Sequence, residues 1–221
     1  ENYKFIDNKS MLTEVNDVGE SISETKQAQL VEMVANLSKT SDVLVISGSL
    51  PQGVDSSYYK KLFSVAAPNT LKIADTEGAK LLAALQTGLD LVKPNKDELQ
   101  NTLQKELKTR DDLVRACYSL LDKGAKRVLL SLGKRGAIIT DGTKNYYCKS
   151  INVAINSTVG VGDGMGAAAG MALQQGASTD EILRAGVAAG TATVTTFGTI
   201  SFTKEKYDEI YANITVEEFK L

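Results

Sequence analysis

The feature that most limits how this chain can fold is a repeated alternation between short strand-like runs and helical stretches. Val43-Leu44-Val45-Ile46-Ser47, a continuous apolar run, opens the series, and further strands are expected over 71–74, 90–92 and 127–131. A strand that is apolar at every position, not at every second one, is the kind expected to be covered on both faces. Apolar residues at helical spacing predict helices over 56–67, 77–86, 96–103 and 111–123, and strands joined by helices run parallel. The expectation is an α/β fold: a three-layer α/β/α sandwich with a mostly parallel central sheet.

The two ends of the chain depart from this grammar. Tyr3-Lys4-Phe5-Ile6 and Met11-Leu12-Thr13-Glu14-Val15 flank Asp7-Asn8-Lys9-Ser10 and read as two short strands around a turn. Such a ribbon needs a partner surface to be stable. Ser21-Ile22-Ser23-Glu24 has the form of a capping box before a helix to about residue 39, with an apolar stripe of Leu30, Val31, Val34 and Leu37. Ala137-Ile138-Ile139-Thr140 and Asn145-Tyr146-Tyr147-Cys148 flank Asp141-Gly142 as a hairpin. Helices are then expected over 162–175, after the Ser178-Thr179-Asp180-Glu181 capping region, and over 204–211.

Composition narrows the chemistry. With 221 residues the chain suffices for one large domain, and its net charge of −2 comes with scattered Lys and Arg, which argues against nucleic acid or an anionic membrane as partner. Small molecules are the expected ligands. No histidine occurs, so Ser-His-Asp and Cys-His catalysis and histidine zinc sites are excluded. Cys117 and Cys148 sit in apolar contexts and read as buried free thiols, which fits a reducing cytoplasm. No apolar run reaches a membrane span of roughly 18 residues, the start has no signal-peptide profile, and it has no initiator methionine.

The chemical signal lies in Asn156-Ser157-Thr158-Val159-Gly160-Val161-Gly162-Asp163-Gly164, where glycines surround one aspartate at a helix start. A helix start offers unpaired N–H groups and the positive end of the macrodipole, and glycine lets the backbone approach an anion closely. A carboxylate there suits removal of a proton from a hydroxyl that attacks a phosphate; helix capping is the plain alternative. The segment is no Walker A loop, because no Gly-Lys-Ser/Thr follows. Lys93-Pro94-Asn95 with Glu98 can place a cation and a magnesium-organising carboxylate near phosphates, or can be a proline turn with a glutamate in the first helical turn. The alanine- and glycine-rich runs at 167–170 and 188–192 read most simply as close helix packing. Loops 47–53, 93–98 and 131–136 all follow strands, where ligands gather in open α/β sheets.

These segments resemble the ribokinase-like superfamily of sugar kinases, in its phosphofructokinase B branch, over nearly the whole chain. Thr13-Glu14-Val15-Asn16-Asp17-Val18-Gly19 is similar to the family's lid-to-core passage, and Ile46-Ser47-Gly48-Ser49-Leu50-Pro51-Gln52-Gly53-Val54 to its substrate-side loop. Val92-Lys93-Pro94-Asn95-Lys96-Asp97-Glu98-Leu99 resembles its phosphate and metal segment, Ser131-Leu132-Gly133-Lys134-Arg135-Gly136-Ala137 its nucleotide loop, and Ser157-Thr158-Val159-Gly160-Val161-Gly162-Asp163 its signature. Five such segments in this order are specific where each alone is not. The resemblance implies transfer of the γ-phosphoryl of ATP to a hydroxyl of a ketohexose phosphate. Within the branch the 188–199 region looks most like the 1-phosphofructokinases, which implies fructose 1-phosphate as acceptor, with tagatose 6-phosphate next and fructose 6-phosphate possible.

By the same resemblance Asp163 is the general base, and Gly160, Val161 and Gly162 build the anion hole with it. Lys93, Asn95, Ser131, Gly133, Gly136 and Thr158 hold the nucleotide, Glu98 and Asn95 organise Mg2+, and Ser47, Gly48 and Ser49 face the sugar. Residues 1–20 correspond to a partial β lid and 21–221 to the nucleotide-binding core, with a homodimer through the lid strands possible. Two departures stand out. Gly164 takes the place of a common family serine and Gly166 follows it, each costing up to about 1 kcal/mol in a helix. The family's N-terminal segment, which carries further sheet strands and part of the sugar site, has no match here. A sugar-phosphate kinase and an ATP-binding fragment without turnover are therefore both carried forward.

Overall fold

Successive residues of the central strands point into two different apolar layers, as strand geometry requires. A computed structural model describes residues 2–6, 12–17 and 19–221; the expected turn at Asp7-Asn8-Lys9-Ser10, with Met11 and Val18, lies outside them. The main sheet has seven strands in the order β3 (Val43–Ser47), β4 (Leu71–Asp75), β5 (Leu91–Val92), β6 (Val128–Ser131), β7 (Ala137–Thr140), β8 (Asn145–Cys148) and β9 (Val216–Phe219). The pairings from β3 to β6 are parallel and those from β6 to β9 antiparallel. A separate antiparallel ribbon joins β1 (Asn2–Ile6) to β2 (Leu12–Asn16), with Tyr3 opposite Val15.

Helices cover both faces. Ala74, Val92, Val128, Leu130 and Ile138 share one core with residues of α2 (Ser57–Ser64), α3 (Gly78–Leu85), α4 (Lys96–Leu103) and α5 (Arg110–Leu121). Ile73, Leu91, Leu129, Ala137 and Ile139 share the other with α6 (Val161–Gln174), α7 (Thr179–Val194) and α8 (Lys204–Asn213). Each fully buried leucine or isoleucine of these layers contributes about 1.5–3 kcal/mol. Cys117 and Cys148 are free and buried, and burial pushes their thiols up to about 12 and about 11.

Four details differ from the sequence expectation. α1 (Glu24–Leu37) is capped by Ser23, whose hydroxyl accepts from the Lys26 amide at 3.3 Å, so it starts later than the box at Ser21 suggests. Its apolar stripe is not buried: Leu30 and Leu37 are exposed and Val31 and Val34 half-buried. β3 is an outer strand, so Val45 is 50% exposed although its sequence reads as covered on both faces. β9 was not expected, because Glu217 and Glu218 interrupt any apolar alternation. It is fixed by the Phe219 ring under the Arg110 guanidinium at 3.6 Å and by Glu218 against Lys144 at 3.3 Å.

Asp141 ties the β7–β8 turn to α7. One oxygen accepts from the Thr143 amide and hydroxyl and the Lys144 amide at 2.7–2.9 Å, and the other accepts from the Thr179 hydroxyl at 2.7 Å. Burial raises this carboxyl, but the donors outweigh it and hold it well below the usual carboxylate range. A depressed folded-state value adds stability above the unfolded value of about 3.9 and loses it as pH falls towards the folded value. The stability gap between the parent chain and Asp141→Asn, measured by urea unfolding, should therefore be full at neutral pH and shrink below about pH 4. A gap that stays constant down to the acid transition would contradict this.

Candidate active site

The candidate residues gather at the carboxyl edge of the parallel strands and at the start of α6. Ser47 ends β3 in register with Asp75, which ends β4. Lys93 follows β5 one residue past the Ala74–Val92 pairing, so it falls beside Asp75. Its backbone amide donates to the Ala74 carbonyl at 3.0 Å. Asn95 bridges to Ser131 at the end of β6, and the Ser131 amide donates to the Pro94 carbonyl at 3.0 Å. Sheet register thus brings Ser47, Lys93, Asn95 and Ser131 to one edge.

Lys93 does not face solvent. Its ammonium lies 3.0 Å from the Asp75 carboxylate, with side-chain exposures of 5% and 18%. A buried ammonium is stable only when paired, and Asp75 supplies the pair. The stem of Lys93 lies along α6: a Cβ on Gly162 would come within 3.3 Å of its Nζ, and one on Gly166 within 3.3 Å of its Cε. The two glycines, four residues apart on one helix face, make room for this side chain. Asp75 was missed in the sequence, where only its place at the end of an expected strand could have marked it.

Asn95 and Glu98 bond to each other. The Asn95 side chain accepts from the Glu98 amide at 2.9 Å, and Glu98 Oε2 accepts from the Asn95 amide at 2.7 Å, forming the capping box of α4. Burial raises the Glu98 carboxyl, Asp75 and Glu77 add to the effect, and the Asn95 amide and Lys93 oppose it. No group of three or more His, Cys, Asp or Glu suited to a metal occurs among the described residues. Glu98 Oε1 has no bond within the box, which fits the sparse ligation Mg2+ accepts when phosphates and water complete its shell.

The loop 131–136 is a tight turn. Gly133 and Gly136 have φ of +57° and +92°, values that glycine adopts without strain. At Gly136 space is the stronger constraint, since a Cβ would fall 1.9 Å from the Cys148 carbonyl oxygen. Thr158 is exposed in the loop before α6, and the Ser157 hydroxyl, not that of Thr158, caps the Val159 amide at 3.1 Å.

α6 begins at Gly160, whose φ of +76° turns the chain into the helix without a side-chain cap. The first intrahelical bond runs from the Gly164 amide to the Gly160 carbonyl at 2.8 Å. The amides of Val161, Gly162 and Asp163 have no protein acceptor among the described residues. Asp163 is exposed, and its carboxylate makes no hydrogen bond or ion pair with the described residues. Val159, Gly160, Asp163 and Gly164 line one end of a groove of about 1350 Å3 that continues along α6 towards Phe202, Tyr207 and Tyr211. Ser47, Lys93, Glu98 and Ser131 do not line it. The start of α6 therefore stands between this groove and the strand-end cluster.

Against this geometry, residues 2–206 match the model of the pfkB family carbohydrate kinases. The chain belongs to that family. It is 38% identical over 200 residues to ATP-dependent 6-phosphofructokinase isozyme 2 of Escherichia coli, covering 89% of this chain and 64% of that protein. It is 32% identical over 183 residues to 1-phosphofructokinase of Borreliella burgdorferi, covering 82% of this chain and 59% of that protein. The crystal structure of phosphofructokinase-2 from Escherichia coli in complex with substrates and products superposes with a TM-score of 0.85 at 35% identity, over 96% of this chain and 70% of that one. The chain thus spans less than two thirds of the length of these two curated relatives.

The glycine after Asp163 has a specific neighbour. A Cβ on Gly164 would lie 2.6 Å from the Thr193 hydroxyl oxygen of α7, which itself donates to the Ala189 carbonyl at 2.8 Å. Gly164→Ala should destabilise the chain by about 1–3 kcal/mol through overpacking, measured by denaturant unfolding. Combining it with Thr193→Ala should recover most of that loss. Additive losses would mean that the two positions do not compete for the same space.

Proposed function

We propose that this chain is the larger part of an ATP-dependent sugar-phosphate kinase whose phosphoryl transfer takes place at the start of α6. The observation that carries the proposal is the pairing of an exposed Asp163 carboxylate with three amides, none of which has a hydrogen-bond partner among the described residues. Asp163 takes the proton of the acceptor hydroxyl as its oxygen attacks the γ-phosphorus of ATP; the bond to the β,γ-bridging oxygen breaks and ADP leaves. The amides of Val161, Gly162 and Asp163, at the positive end of the helix dipole, stabilise the charge on the migrating group. The buried Lys93–Asp75 pair braces the underside of that turn.

The loop 131–136, with Gly133 exposed and Ser131 half-buried, and the exposed Thr158 suit the nucleotide. Ser47 and Ser49 suit the acceptor. Glu98, with Asn95 beside it, would hold Mg2+, which when bound neutralises charge on the phosphates. The proposed acceptor is a ketohexose phosphate. Fructose 1-phosphate is favoured by the 188–199 region, and fructose 6-phosphate is drawn in by the relative named 6-phosphofructokinase. Residues 1–20 are proposed as a partial lid on the 21–221 core. The ribbon exposes Tyr3, Phe5 and Val15, an apolar face suited to association with a second copy. A tetrameric form is described for phosphofructokinase-2 from Escherichia coli. Among the described residues no helix is long and apolar enough to cross a membrane.

A second reading, ATP binding without turnover, is favoured by one fact: the matched region leaves 36% of the first relative without a counterpart, the remainder from its 64% coverage. ADP release, followed with fructose 1-phosphate, tagatose 6-phosphate and fructose 6-phosphate in turn, separates the two. The kinase reading expects sugar-dependent ADP release, and Asp163→Asn should lower turnover by about a hundredfold or more with ATP affinity nearly intact. Unchanged turnover removes Asp163 from the chemistry. ATP binding with no sugar-dependent ADP from the parent chain favours the second reading.

A further inference from the structure

Gly48, in the loop after β3, is bonded through both its amide and its carbonyl. Its amide donates to the Asp75 carbonyl at 3.1 Å. Its carbonyl accepts from the Tyr59 hydroxyl at 2.9 Å, the Thr76 hydroxyl at 3.0 Å and the Lys80 ammonium at 3.3 Å. A carbonyl oxygen has two lone pairs, so three donors saturate it. Tyr59 is 1% and Thr76 5% exposed. A tyrosine phenol is a donor at neutral pH, and burial raises that of Tyr59 further. Gly48 sits at φ +90° with open space where a Cβ would be, so its backbone conformation, not crowding, demands glycine.

On either side the situation reverses. Ser47 and Ser49 are exposed, and their hydroxyls bond to no described residue. A rigid peptide unit thus carries two free hydroxyls at the carboxyl edge of the sheet, beside Asp75 and Lys93. Buried donors converging on a carbonyl in a surface loop restrict that loop before any ligand arrives, and preorganisation of this kind lowers the ordering cost of binding.

We propose that Tyr59 and Thr76 are positioning residues for the acceptor sugar phosphate: by fixing the Gly48 peptide they set the directions of the Ser47 and Ser49 hydroxyls. The proposal rests on loop 47–53 being the acceptor side of the kinase site. Neither residue lies in a segment that marks the family resemblance, and Tyr59 belongs to a helix packed beneath the loop. The carbonyl keeps two donors when one is deleted, so the fold tolerates each single change.

Tyr59→Phe and Thr76→Val each remove one hydroxyl with little change of shape. Hydrogen exchange of the 47–53 segment in the purified chain reads the clamp directly. Steady-state kinetics and calorimetric titration with fructose 1-phosphate, tagatose 6-phosphate and fructose 6-phosphate read its consequence. Each variant should speed exchange in that segment with the melting temperature unchanged and raise the acceptor KM or Kd about fivefold. The KM for ATP should stay within about twofold, and Thr76→Ser should restore the parent values. Faster exchange with unchanged acceptor KM and Kd, or a parallel rise in both KM values, overturns the positioning role and leaves the kinase reading standing. A parent chain that neither binds nor turns over any of the three sugars overturns the kinase reading, and the positioning role with it.

Discussion

Three backbone amides at the start of α6 set the terms for the rest of the molecule. A helix start leaves its first N–H groups without intrahelical partners, and they must meet a cap, water or a ligand. Here no side chain caps them, because Gly160 enters the helix from the left-handed region and the Ser157 hydroxyl is spent on Val159. Keeping such an end exposed requires that the helix be anchored elsewhere. The loop ahead of it is stitched to the end of α7 through the Asn156 amide to the Val194 carbonyl at 2.8 Å and the Asn156 side chain to the Thr195 carbonyl at 2.8 Å. Behind the first turn, Met165, Ala169 and Leu173 are buried in the same core as α7.

Much of this architecture was legible in the sequence, because most elements announce themselves by local periodicity. The expected strand segments became β3 to β6, the Asp141-Gly142 hairpin formed as expected, α4 to α6 lie close to their predicted ranges, and α7 starts at the expected capping region. What escaped depended on partners far along the chain. β9 has no period of its own and exists because β8 offers an edge and Arg110 a cation for Phe219. Val45 reads as a buried residue, yet its exposure is decided by which strand stands at the edge of the sheet. Lys93 reads as a phosphate contact, and only the fold reveals that Asp75 already holds its charge.

The glycines of α6 illustrate the same limit more sharply. In the sequence Gly164 and Gly166 look like flaws, since each weakens a helix relative to alanine. In the structure Gly164 admits the Thr193 hydroxyl, Gly166 and Gly162 admit the Lys93 stem, and Gly170 admits Ile73 of β4. The propensity cost is offset by packing that a side chain at these positions would disturb. Glycine spacing alone does not reveal these roles, because Gly162 and Gly166 answer to Lys93, Gly164 to Thr193 and Gly170 to Ile73, three neighbours on three different segments.

The placement of the site follows from the one strand at which the sheet changes sense. β6 runs parallel to β5 and antiparallel to β7. Parallel strands are joined by helices that cross a face of the sheet, whereas β6 and β7 need only the short turn at 131–136. No crossover helix therefore leaves the carboxyl end of β6. Ligands in open α/β sheets collect where the connections part in this way. At that edge the chain places Asn95 and the 131–136 turn, with Lys93 buried against Asp75 beside them. α6, packed on the sheet face that begins there, brings its unpaired amides and Asp163 to the same end of the strands.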